Sequence, residues 1–188
     1  MGKWALIAIA LLAFGKVGAV PPPPAMSLTS TAFHNHERIP LEHASNESGC
    51  SGKDISPPLQ WRNPPPGTKS FVLTVFDMDE HRTPSGWWQW VVYDLPGNST
   101  SLPAGAGAAR SQALPPGSVQ GRVDSGHLAY DGPCPDAGEP PHRYVFTLYA
   151  LKVAKLPVPP ESSGALVTHS LHDFTLAKAT LIGLYARP

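Results

Sequence analysis

Apolar positions gather in three long runs rather than at helical spacing. Ser70–Asp77 reads SFVLTVFD, Trp87–Leu95 reads WWQWVVYDL and Arg143–Val153 reads RYVFTLYALKV. β-Branched and aromatic residues dominate each run and Pro/Gly clusters bound them, which predicts strands. Phe71, Leu73 and Val75 alternate with Val72, Thr74 and Phe76, so both faces of the first run are largely apolar. Such a strand sits centrally, covered on both sides. Pro103–Pro141 is rich in Gly and Pro and reads as long loops, with at most short strands such as Val119–Arg122. Helical spacing shows in Ser162–Leu176, where Ser162 or Ser163 can cap a helix and Leu166, Ser170 and Asp173–Phe174 follow. Ala177–Ala186 returns to strand chemistry. Without strand–helix alternation, the pattern predicts an all-β body: an antiparallel β-sandwich with one short helix near the C-terminus.

The first residues follow another pattern. Lys3 precedes an apolar run, Trp4–Phe14, of signal-peptide rather than membrane-spanning length. Val17-Gly18-Ala19 supplies small residues for cleavage after Ala19, so residues 1–19 read as a signal peptide and the protein as secreted or periplasmic. The alternative is an uncleaved N-terminal anchor. Residues 20–31 begin VPPPPAMSLTS and read as an extended, poorly packed proline-rich tether, leaving one domain over 32–188.

Charge narrows the partners. Cleavage removes Lys3 and Lys16 and no acid, taking the formal balance from zero to about −2. That argues against nucleic acid, which requires a basic face, and supplies no polybasic patch for a membrane surface. No stable membrane insertion is expected after cleavage. The 23 prolines also fit turns and sheet edges better than helices. In an oxidising compartment the even pair Cys50 and Cys134 reads as one disulfide closing a loop of 84 residues. Two buried free thiols are the alternative, and two cysteines alone make a weak metal site.

Candidate chemistry starts with Asp77 and Asp79, which a strand end delivers to a sheet rim. Two apart, they point to one side, and their like charges should raise one pKa. Either could instead close an Asx-type turn. His142 enters the third long run and could donate to an anion, act as a base or serve structure. Before it lies Tyr130-Asp131-Gly132-Pro133-Cys134-Pro135, a loop whose backbone N–H groups could cradle an anion. His34, His36 and His43 lack metal-motif spacing and read as a solvated, irregular segment. His169 and His172 share a helix face and are expected to pack against the sheet. Nucleophile elbows, zinc-protease motifs, P-loops and dinucleotide glycine patterns are absent, so no enzyme, metal or cofactor is indicated.

Several blocks together resemble one family. SPPLQW (56–61), GTKSFVLTVFDMD (67–79), GWWQWVVYDLP (86–96), GPCP (132–135), PHRYVFTLYAL (141–151) and TLAKATLIGLYAR (175–187) look like the phosphatidylethanolamine-binding protein family, in its bacterial Raf-kinase-inhibitor-like branch of YbhB/YbcL type. The resemblance implies a β-sandwich with a small anion pocket at one end, for phosphate, carboxylate or phospholipid-headgroup ligands. Carried over by motif, the pocket takes Asp77, Asp79, Gln89, Gly132, Pro133, Cys134, His142 and Tyr144. Two departures stand out. Asp77-Met78-Asp79-Glu80-His81 lacks the family's loop prolines, and Gln89 replaces a pocket histidine. Glutamine keeps a donor but cannot become cationic, so anion affinity should fall. The resemblance implies a non-enzymatic binding protein whose partner is a small anion or an anionic group of another protein. One alternative is an inhibitor of a protease or kinase acting through the pocket rim. A weaker one is a hydrolase using His142 and Asp77.

Overall fold

The computed structural model describes residues 24–187. The expected signal peptide, residues 1–19, lies outside the described residues. Strands β1 (Ser27–Ser30), β3 (Leu59–Arg62) and β6 (Ser101–Leu102) form a small sheet in the order β1-β3-β6. The larger sheet contains β2 (Glu37–Arg38), β4 (Ser70–Asp77), β5 (Trp87–Pro96), β7 (Val119–Gln120), β8 (His142–Leu151) and β9 (Thr175–Tyr185). Its order is β2-β9-β8-β4-β5-β7. All pairings between strands are antiparallel except the two-residue contact of β2 with β9. Helix α1 (Gly164–Ser170) is short and late in the chain as expected, but it stops well before Leu176: Val167 rather than Leu166 is buried, and β9 begins at Thr175.

β4 lies between β5 and β8, and its two apolar faces explain why. Phe71, Leu73 and Val75 join Leu28, Leu59, Trp61, Trp90 and Phe146 in the core between the sheets. Val72 faces the opposite way, into a second cluster with Val91, Leu151, Leu156, Val167 and Leu171. That outer face is closed by α1, whose N-cap Ser163 accepts a hydrogen bond from the Leu166 backbone N–H. Gly164 meets the Trp88 ring so closely that an added Cβ would stand 2.5 Å from it.

Two readings of the N-terminal half need correction. Residues 27–30 are not a loose tether: they pair with β3 as a strand and bury Leu28, which is 5% exposed. The domain therefore begins before residue 32. The segment holding His34, His36 and His43 is not simply solvated either. Phe33 and Ile39 are buried in the core, and buried His43 uses Nδ1 to donate to the Ile55 carbonyl at 2.7 Å. At the end of α1 the opposite correction applies: His169 on the helix and His172 in the turn after it are exposed rather than packed on the sheet.

Candidate functional site

Asp77 closes β4 opposite Trp87 of β5 and Tyr144 of β8, so three strands bring one end of the large sheet to a common level. Both Asp77 and His142 are buried, at 2% and 3% exposure. One Asp77 oxygen receives the His142 Nδ1–H at 2.9 Å, and the other accepts the Asp79 backbone N–H at 2.9 Å. The pair and the Asx-type turn therefore coexist. His142 Nε2 lies 3.1 Å from Glu139 Oε2, within ion-pair distance but outside hydrogen-bond alignment. Burial is the strongest influence on His142 and opposes its charge. The Asp77 hydrogen bond and the charges of Asp77, Glu139 and Asp79 outweigh it, raising the ring above the ordinary histidine value. The Tyr144 ring stacks near His142 with centroids 6.4 Å apart, and its buried hydroxyl has no hydrogen-bond partner among the described residues. Burial pushes the Tyr144 hydroxyl pKa up, aided by the Asp77 charge.

Asp79 turns elsewhere. It accepts the Arg143 backbone N–H at 2.8 Å and Nε–H at 2.8 Å, and pairs with the guanidinium through its second oxygen. These Arg143 hydrogen bonds, not its neighbour's charge, dominate its carboxyl, which is held below the usual carboxylate range. The expectation that like charge between the two aspartates decides their titration fails at Asp79. Arg143 supplies the missing cation.

Gln89 owes its position to an irregularity in β5. Val75 pairs with Trp90 while Phe76 pairs with Trp88, so Gln89 is an extra residue in the ladder. Such a bulge bends the strand and re-aims a side chain. Trp88 and Trp90, two apart, consequently pack on opposite faces, Trp90 between the sheets and Trp88 against the outer cluster. The Gln89 carbonyl accepts the Asp131 N–H at 2.8 Å and anchors the loop that follows. Gln89 is 6% exposed, and its side chain lines a cavity and makes no hydrogen bond to another described residue.

That cavity measures about 510 Å³ and is also lined by Asp77, Asp54, Trp87, Asp131, Gly132 and Cys134. Gly132 is required there, since a Cβ would lie 2.5 Å from backbone atoms of His43, Ala44 and Ser45. Its N–H is already engaged, donating to Asp54 Oδ1 at 2.6 Å. The anion cradle expected from this loop is thus occupied at Gly132 by the chain's own carboxylate. Asp54 titrates above the ordinary aspartate value, chiefly through burial and further through the charges of Asp131 and Glu47, against the lowering effect of Gly132. Cys50 and Cys134 are disulfide-bonded with Cα atoms 5.9 Å apart, which joins the loop carrying Glu47 and Asp54 to the Gly132 loop. A groove of about 940 Å³ adjoins the cavity, shares Glu47, Asp54 and Asp131 with it, and exposes Leu114, Pro115 and Leu128.

Of the residues singled out from sequence, Asp77, Gln89, Gly132 and Cys134 line the cavity. His142 and Tyr144 stand behind Asp77, while Asp79 and Pro133 do not line it. Sequence reasoning missed Asp54, Glu139 and the two guanidiniums on the wall, Arg82 and Arg187. Only Asp54 carried a signal, because it lies two residues before the SPPLQW block. Among the described residues, no group of three His, Cys, Asp or Glu side chains is placed to hold a metal ion.

Two sheets, one short late helix and a polar cavity at the end of the large sheet where β4 meets β5 and β8 define the architecture. The sequence model for phosphatidylethanolamine-binding protein matches residues 29–186, and the chain belongs to that family. It is 42% identical over 161 residues to UPF0098 protein YbcL of Escherichia coli K12, covering 86% of this chain and 87% of YbcL. The crystal structure of YbcL, described as a new member of the mammalian PEBP family, superposes with a TM-score of 0.84. The match covers 88% of this chain and all of that one at 41% identity. UPF0098 protein YbhB of the same organism is 41% identical over 161 residues, covering 86% of this chain and 100% of YbhB. LppC of Mycobacterium tuberculosis, named as a lipoprotein, is 30% identical over 172 residues, covering 90% of this chain and 78% of LppC.

Proposed function

We propose that this protein is exported and acts as a non-enzymatic binding protein whose cavity holds a small polar ligand of headgroup size. The carrying observation is Gln89: a buried amide, delivered by a bulge to a cavity, with no described partner inside the protein. The amide opens to the cavity rather than to another protein group, so a ligand there meets a positioned donor and acceptor that no protein partner competes for. The phosphatidylethanolamine in the family's name supports a headgroup-sized ligand. The non-enzymatic reading draws support from His142, whose two ring nitrogens face Asp77 and Glu139 rather than a hydroxyl or thiol to activate. Export is supported by the apolar N-terminal run, the disulfide and the lipoprotein name of the mycobacterial relative.

Calorimetric titration with phosphate, acetate and phosphoethanolamine tests this reading. Saturable heat is expected with at least one of them and is expected to weaken in Gln89→Leu. Silence from all three at millimolar concentration would remove the cavity as a binding site for this class.

A further inference from the structure

One margin of the large sheet is barely covered. Its order begins β2-β9-β8, and β2 pairs with β9 only at Gly183 and Leu184. The hydrogen bonds there fix which backbone groups of β9 point away from β8. The Ile182 carbonyl accepts the His36 N–H at 2.7 Å, and the Ile182 N–H donates to Asn35 Oδ1 at 2.9 Å. The Leu184 carbonyl accepts the Ile39 N–H at 2.8 Å. Across the ladder from Leu184, the Arg143 carbonyl points the other way and accepts the Met78 N–H at 3.2 Å. Backbone direction alternates along an antiparallel ladder, so Lys178 and Thr180 also turn their N–H and C=O groups outward. They stand in regular register with Tyr149 and Thr147, and those groups find no hydrogen-bond partner among the described residues. A bulge opposite Ala150 and Leu151 ends the regular edge at Leu176, which is 41% exposed.

An open edge is a template for another strand. The chain already uses it so, since residues 36–39 bond to β9 but reach no further down it than Ile182. Charge narrows what can occupy the rest. Lys178 is exposed and in no ion pair among the described residues, and the same holds for Lys152, whose N–H donates to the Phe174 carbonyl at 3.0 Å beside the start of β9. The acids nearby in these segments are engaged: Glu37 accepts the His34 N–H at 3.1 Å, and Asp173 lies 3.0 Å from His172. A second copy fits poorly. Setting Lys178 opposite its own counterpart puts like charges side by side. Setting Lys178 opposite Thr180 of the copy brings Leu176 opposite Ile182, where the copy's Asn35 and His36 already stand.

We propose that the open edge of β9 around Lys178 and Thr180 docks an extended acidic segment of a partner protein, added as an edge strand with a carboxylate beside Lys178. Main-chain hydrogen bonds supply the attachment, and Lys178 selects among strands. A lysine on an edge guards against pairing with a like edge, and the same charge admits a strand of opposite sign. This surface is separate from the cavity, because His142 pairs with Tyr185 at the other end of β9.

The test is an amide NMR titration of the full mature chain with the synthetic peptide acetyl-Thr-Val-Glu-Val-Thr-amide. Shifts are expected to concentrate on the amides of Lys178 and Thr180. N-methylation at the glutamate amide, which faces the edge, should abolish them, whereas N-methylation at the two valine amides, which face away, should leave them. Lys178→Glu, at an exposed position where folding is not at issue, should weaken the acidic peptide about fivefold and favour its Glu-to-Lys version. Unmoved Lys178 and Thr180 amides with the acidic peptide would overturn the proposal. So would binding indifferent to the methylation pattern or to Lys178→Glu. Hydrogen-exchange protection of these two amides that grows with protein concentration, with no peptide present, would also overturn it and assign the edge to a second copy.

Discussion

His142 has a carboxylate near each ring nitrogen, Asp77 at 2.9 Å and Glu139 at 3.1 Å, and its pKa is raised despite burial. A histidine whose folded pKa exceeds its unfolded value stabilises the fold fully below about pH 6.5. That contribution is lost as pH rises through the folded value. The stability gap between the wild type and His142→Gln should therefore narrow from about pH 5.5 to about pH 8.5 in urea denaturation. A gap that stays constant or widens would contradict the assignment. Asp77→Ala should destabilise by about 3 kcal/mol near pH 6, because it leaves His142 buried without its main partner. The two members of this pair were legible in the strand-end blocks. Glu139 and Arg143 were not legible as partners, because chain spacing does not state which charge a folded loop will meet.

At the scale of elements, strands were readable where apolar runs were long enough to fix their own period. β4, β5, β8 and β9 are of that kind, and their lengths follow from burial on one or both faces. β2, β6 and β7 have two residues each, too few to show any alternation. β1 was obscured by the prolines that precede it, and only pairing with β3 fixes it. Leu28→Ala should accordingly cost about 2 kcal/mol by thermal or chemical denaturation, as a core truncation does. An unchanged midpoint would restore the tether reading. Helix α1 has only seven residues and depends on its cap and on the cluster beneath it. Ser163→Ala should lower stability by about 1 kcal/mol, with Ser163→Asp restoring most of it. The bulge at Gln89 escaped sequence reading because it exists only as a mismatch between two strands. Without it, Trp88 and Trp90 would share a face.

For the molecule as a whole, sheet order and disulfide act together. The covalent link spans a sequence separation of 84 residues, and in the chain-entropy model a loop of that size contributes about 4–5 kcal/mol. Reduction should lower the denaturation midpoint substantially and cooperatively, and a thiol assay with and without denaturant reports whether the bond is intact. The link also makes the cavity a late product of the chain's own history. Cys50 precedes β4 and β5, and Cys134 follows β7, so one wall cannot be fastened until all of those strands have been synthesised and an oxidant has acted. A newly made chain in a reducing cytosol would hold its sheets yet lack a fixed wall beside Gly132. Oxidation therefore adds a covalent tie between two loops that the strand pairing by itself does not supply.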